Sequence, residues 1–136
     1  MIASKAKLRQ DEEDIRKRVR ELPDAVRLEF FEATEKKLKD PDTYAALNYA
    51  FIAGLHHFYL GKFLHGFMNI GIYTAGIVML FIGMAATGVS LILAISILEI
   101  FQLFRSQRIV HAYNNKIMLR IYEDIKLRHN PPPEIP

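Results

Sequence analysis

Glu99 is the residue of greatest chemical consequence in this sequence. It lies in the apolar run Leu91-Ile92-Leu93-Ala94-Ile95-Ser96-Ile97-Leu98-Glu99-Ile100-Phe101. A charged carboxylate at the centre of such a helix in lipid costs about 2.5–3.5 kcal/mol on insertion scales. Arg105 follows about one and a half turns later, so Glu99 lies towards a helix end and the cost is smaller. Ser96, Glu99 and Gln102 share a face at three-residue steps, and His65, Asn69 and Tyr73 share one at four-residue steps on the preceding apolar segment. A chain reversal near Ala85 and Ala86 sets Glu99 level with Asn69 and Tyr73. The expectation is a polar seam of Ser96, Glu99, Gln102, His65, Asn69 and Tyr73 between two helices. Such a carboxyl either handles protons or ions or ties two helices in register by hydrogen bonding.

The histidines are the other candidates. His56 and His57 are adjacent, so on a helix they point about 100° apart, unlike the i, i+4 pair of a zinc-protease helix. His65 could approach them across Gly61, with Glu99 as a fourth ligand, but the spacing matches no recognised zinc pattern. No metal site and no cofactor is therefore expected. His56 is read as bracing a turn, and His57 as meeting the membrane interface with the aromatic rings of Phe58 and Tyr59.

The elements that must position these groups follow from charge. Of 33 charged residues in the 136-residue chain, only Lys62 and Glu99 lie between Thr43 and Phe104. A soluble domain needs a polar stripe on every surface helix, so this stretch implies lipid. It divides into apolar segments at about 44–60, 63–82 and 88–104. The first is short for a span of roughly 20 residues and contains Asn48, His56 and His57. Residues Gly83 to Gly88 join the other two as a hairpin turn. Small residues recur every fourth position at Ala46, Ala50 and Gly54, and again at Ala86, Ser90 and Ala94. Such faces allow close helix packing, within the chain or between copies.

Outside this membrane domain (43–104) the chain is charged. Residues 1–42 carry eleven basic and eleven acidic residues and read as two helices broken near Pro23, with Pro23 in the first turn of the second and the end near Leu38. Leu8, Ile15, Val19 and Leu22 form a thin apolar stripe on the first; Val26, Phe30, Phe31, Ala33 and Leu38 form a broader one on the second. In residues 105–129, Val110, Tyr113, Ile117, Ile121 and Ile125 mark an amphipathic helix. Residues 130–136 form a disordered Pro-rich tail. The excess of Lys and Arg after Phe104, with Arg27, Lys36, Lys37 and Lys39 before the apolar block, places both termini in the cytoplasm. The hairpin then makes two crossings, and segment 44–60 is tilted, interfacial or re-entrant. The start Met1-Ile2-Ala3-Ser4 lacks the apolar core of a signal peptide. There is no cysteine, so disulfide and thiol chemistry are absent.

The run Gly54-Leu55-His56-His57-Phe58-Tyr59-Leu60-Gly61-Lys62 resembles the signature of the TM-two (two-transmembrane-helix) domain family, bacterial type. Its motif residues correspond to Gly54, His56, Phe58, Tyr59, Leu60, Gly61 and Lys62. Gly66 and Gly71, the Thr87-Gly88 break, Leu98-Glu99-Ile100 and Tyr113-Asn114 extend the likeness over about residues 43–115. The resemblance implies an all-α membrane protein with a transmembrane hairpin. It implies little chemistry, and the receptor-like Asp-Arg-Phe of some animal members is His56-His57-Phe58 here.

There is no phosphate loop, no Gly-x-Ser-x-Gly and no cysteine nucleophile, so no enzyme is expected. The leading expectation is a small inner-membrane adaptor or accessory subunit. Its partners would be the bilayer, further copies of itself or a larger membrane complex, and a protein held by residues 1–42, but no nucleic acid. The alternatives are an oligomeric channel or transport component using Glu99 and a nearby histidine for protons or cations, and a lipid-binding membrane organiser acting through the basic tail.

Overall fold

The computed structural model describes residues 3–50 and 54–129. Among these it contains seven helices and no strand: α1 (Lys5–Arg20), α2 (Asp24–Glu35), α3 (Pro41–Ala50), α4 (Leu55–Tyr59), α5 (Phe63–Phe81), α6 (Ala85–Phe104) and α7 (Ser106–His129). Two units separate, one from residues 1–39 with 110–136 and one from residues 40–109. The tail expected at 130–136 lies outside the described residues.

The first unit is built like a water-soluble bundle. Ser4 caps α1 by accepting from the Lys7 backbone N–H at 3.2 Å, and Lys17, Arg18 and Arg20 sit at the end where the helix dipole favours cations. Pro23 takes the cap position of α2 rather than its first turn. There its missing N–H leaves no helical bond unmade. α2 ends at Glu35, short of Leu38, where the Lys37 and Leu38 N–H groups both turn back to the Thr34 carbonyl. The apolar stripes of α1 and α2 meet that of α7: Ile15, Val19, Phe30, Ile121 and Ile125 form one buried cluster, flanked by Val26, Ala33 and Ile117. Asn114 exchanges both amide groups with the Lys39 backbone at 2.9 and 2.8 Å, and Asn115 donates to the Leu8 carbonyl at 2.7 Å. At the rim, His111 and Glu12 lie 2.8 Å apart and His129 and Glu29 lie 3.0 Å apart. Phe30 is buried, but Phe31 and Leu28 remain exposed.

The second unit is organised the opposite way. α5 and α6 pack as a hairpin, and both are long and apolar enough to cross a membrane. Only 17% of each helix's apolar window is buried within the protein, whereas the core helix of a soluble protein would be largely enclosed. Phe67, Phe81, Leu93, Ile97 and Phe101 all point outward.

The turn between them is tighter than the sequence suggests. Residues 82–84 suffice, with Gly83 at φ +85°, and Ala85, Ala86 and Thr87 already belong to α6. Gly88 is thus inside the helix instead of opening it. A Cβ there would stand 2.6 Å from the Gly76 carbonyl oxygen. The two glycines are where the backbones approach most closely, a role a larger residue could not fill.

The segment 44–60 is two helices. Asp40 caps α3 by accepting from Thr43 N–H at 2.6 Å, which holds its carboxyl below the usual value, and Pro41 takes the first turn. Gly54, at φ +92°, opens the single-turn α4, and Gly61, at φ +68°, follows it. Residues 51–53 lie outside the described set.

Candidate metal or proton site

Glu99 on α6 is the focus of the second unit. Its side chain is 1% exposed. The Asn69 side-chain amide of α5 donates to Oε1, and Gln102, one turn along α6, donates to the same oxygen at 3.3 Å. Asn48 of α3 donates to the Glu99 backbone carbonyl at 3.2 Å. From α4, His56 Nε2 stands 3.0 Å from Oε2 and His57 Nε2 stands 3.7 Å from Oε1. The Tyr44 ring, also on α3, meets His56 edge-on at 5.0 Å between centroids.

Adjacent histidines were expected to diverge. The structure instead brings both rings to one carboxylate, His56 to Oε2 and His57 to Oε1. Their rings are 4.1 Å apart between centroids. His57, expected at the headgroup interface, is buried, as is His56. The three residues offer one donor atom each within 4.8 Å of one another.

The glycine-rich signature explains how α4 reaches this point. A Cβ on Gly54 would stand 2.9 Å from Asn69 Cβ. Without it, α4 lies against the side chain that binds Glu99. Phe58 fills the space over Gly66 and packs edge-on against Phe63 and Phe67 at 5.9 and 5.1 Å. Tyr59 accepts the Asp40 backbone N–H at 3.0 Å, which ties α4 to the start of α3. Leu60 is buried, and the Lys62 backbone N–H closes on the His57 carbonyl at 2.8 Å. These residues pack α4 in place around the histidines.

The other residues of the expected seam lie apart from the carboxylate. Ser96 donates to its own helix at the Ile92 carbonyl, 2.7 Å away. His65 is exposed, its ring 5.8 Å from that of His57. Tyr73 is half-buried and makes no hydrogen bond to Glu99 among the described residues. Of the small-residue faces, Ala46, Ala86, Ser90 and Ala94 are exposed and Gly54 is buried; the side chain of Ala50 lies outside the described set. Tyr44 and Asn48 were missed as site residues. Their i, i+4 spacing on a short apolar segment was the available signal.

Several polar atoms here have no hydrogen-bond partner among the described residues: His56 Nδ1 and Nε2, His57 Nδ1 and Glu99 Oε2. His56 Nε2 and Glu99 Oε2 are close enough to bond but are not aligned to do so. Each buried polar atom left unpaired costs about 1–3 kcal/mol. Comparison of the chain with protein-family models, with curated proteins and with solved structures finds no match. The structure therefore presents an all-α protein with a candidate transmembrane hairpin and a buried His56–His57–Glu99 cluster able to coordinate an ion.

Proposed function

We propose that this chain is a non-enzymatic inner-membrane protein of the TM-two domain type that handles protons or cations at Glu99, as an oligomeric component of a channel or transport system. The observation that carries this reading is one carboxylate, buried beside two buried histidines, at one end of a hairpin long and apolar enough to span a bilayer. Interhelical glue would need a single satisfied hydrogen bond. Asn69 and Gln102 already supply that at Oε1, and Oε2 with both imidazoles is left over for exchange. His65, exposed beside His57, is the outward route for an ion or proton. With both termini cytoplasmic, as Arg105 and Arg108 favour, the site lies in the inner leaflet. The exposed face of Ala86, Ser90 and Ala94 is the surface on which copies would pack. Reconstitution in liposomes tests the reading: wild type conducts protons or dications and Glu99→Gln does not. No flux at any pH from a verified oligomer would remove it.

A second reading, a membrane adaptor, draws on the first unit. Phe31 and Leu38 line a cavity of about 230 Å³ with Phe30 and Met118, and Leu28 is exposed nearby. Phe31→Glu would then abolish recovery of a protein partner without altering flux; unchanged recovery counts against it.

A further inference from the structure

We propose that His56, His57 and the Oε2 atom of Glu99 form a three-ligand site for a transition-metal dication of the zinc class, with a fourth position open to exchange. This deepens the ion-handling reading and rests on it.

Three features select a metal over a shared proton. The first is the division of labour within the carboxylate. Oε1 accepts from Asn69 and Gln102, and Oε2 has no hydrogen-bond partner among the described residues. Metal-bound carboxylates are held in this way, one oxygen on the metal and its environment fixed by outer hydrogen bonds. The second is the misalignment of His56 Nε2 and Oε2 at 3.0 Å. A proton shared between them requires N–H and lone pair to face one another. Two ligands of one metal instead face a third point.

The third feature is spacing. Tetrahedral ligation at about 2.0–2.1 Å sets ligand atoms about 3.3 Å apart. The His56 Nε2 to Oε2 separation of 3.0 Å lies close to that value; His57 Nε2 stands 3.7 Å from the other carboxylate oxygen, Oε1, and each of the three residues offers one donor atom within 4.8 Å of the others.

The donor set names the metal class. Calcium and magnesium take oxygen ligands, whereas two imidazoles and one carboxylate suit zinc and its first-row neighbours. Three protein ligands rather than four mark a site whose metal exchanges its remaining partner. His65, 5.8 Å from His57 and exposed, is on the side from which an ion or an exchanging ligand would arrive.

The test uses the full chain in nanodiscs, titrated with Co²⁺ and then with competing Zn²⁺. One Co²⁺ per chain is expected, with the visible ligand-field bands of four-coordination, lost on Zn²⁺ addition and unaffected by excess Mg²⁺. His56→Gln and Glu99→Gln should each weaken binding about 100-fold or more, and Asn69→Leu, which removes only a positioning bond, about 10-fold. X-ray absorption of the wild-type protein, which needs no variant to fold, should show nitrogen and oxygen scatterers with imidazole outer shells. Absence of ligand-field bands in the wild type, or binding indifferent to both ligand substitutions, overturns the metal site. If proton flux then persists in metal-free liposomes and is lost in Glu99→Gln, only the metal fails and the ion-handling reading stands. If flux is absent too, both fall.

Discussion

Both units of this protein pair histidines with a glutamate, and they do so in opposite settings. In the first unit, Glu12–His111 and Glu29–His129 decorate the rim of a bundle whose centre is isoleucine, valine and phenylalanine. In the second, Glu99 with His56 and His57 is the centre, and isoleucine, leucine and phenylalanine form the outside. The same pair of side chains is peripheral in the unit with an apolar centre and central in the unit whose apolar side chains face outward. The difference teaches that polarity alone does not mark a functional site. A rim pair is screened and exchanges freely with water. A buried cluster with atoms unpartnered among the described residues has no such alternative.

The comparison can be broken from either side. The largest effect should come from the water-facing bundle: Phe30→Ala removes a buried ring shared by α1, α2 and α7 and should destabilise that unit by about 3–5 kcal/mol, read as a lowered unfolding midpoint. A loss under ~1 kcal/mol would mean that the three helices do not share a core.

Next comes a matched pair of surface leucines. Leu93 on α6 is 56% exposed and Leu28 on α2 is 60% exposed. If their solvents differ, Leu93→Lys should cost about 2.5–3.5 kcal/mol of membrane integration, while Leu28→Lys stays within about 0.5 kcal/mol. Alkaline extraction of membranes measures the first, and equal behaviour of the two would remove the contrast. Gly88→Val ranks third. Its side chain would press on the Gly76 carbonyl, and overpacking of this kind costs about 1–3 kcal/mol, visible as faster exchange of the α5 and α6 amides.

The smallest effect concerns pH. Partial burial pushes the Glu12 carboxyl up, but hydrogen bonds from Arg16 and His111 outweigh it, leaving Glu12 below its usual value of 4.5. A depressed carboxyl contributes stability above its unfolded value that is lost as pH falls through its folded one. Acid titration of the wild type should therefore show a small loss beginning just below pH 4.5, of about 0.2–1 kcal/mol. Glu12→Gln should remove that portion of the acid limb; an unchanged limb shows that the His111 pair does not stabilise the fold.

Much of the architecture follows from residue order alone. A stretch with two charges in 62 residues has to be helical and lipid-facing if it is in a membrane, and the Gly83–Gly88 link is where it can reverse. Counting back from a reversal near Ala85 and Ala86 sets Tyr73 and Asn69 level with Glu99, and of the two Asn69 makes the bond. Helical spacing alone brings Gln102 there. The apolar face of α7 is equally plain, because period and burial coincide at Ile117, Ile121 and Ile125.

Periodicity describes one helix at a time, and the remaining features depend on several. That α7 covers the stripes of α1 and α2 is a long-range choice of partner, about a hundred residues apart in sequence. Gly88 looks like a helix break by its type, because a missing Cβ has the same local signature whether it frees the backbone or admits a neighbour; only the Gly76 carbonyl opposite decides. The convergence of His56 and His57 is the clearest case. Ideal helix geometry sets adjacent side chains about 100° apart, while the carboxylate that both rings meet belongs to α6 and accepts from Asn69 of α5. Sequence determined which segments are apolar enough to favour lipid, because transfer free energies add residue by residue. The tertiary structure decided which donor atoms meet, because that depends on where four separate backbones come to rest.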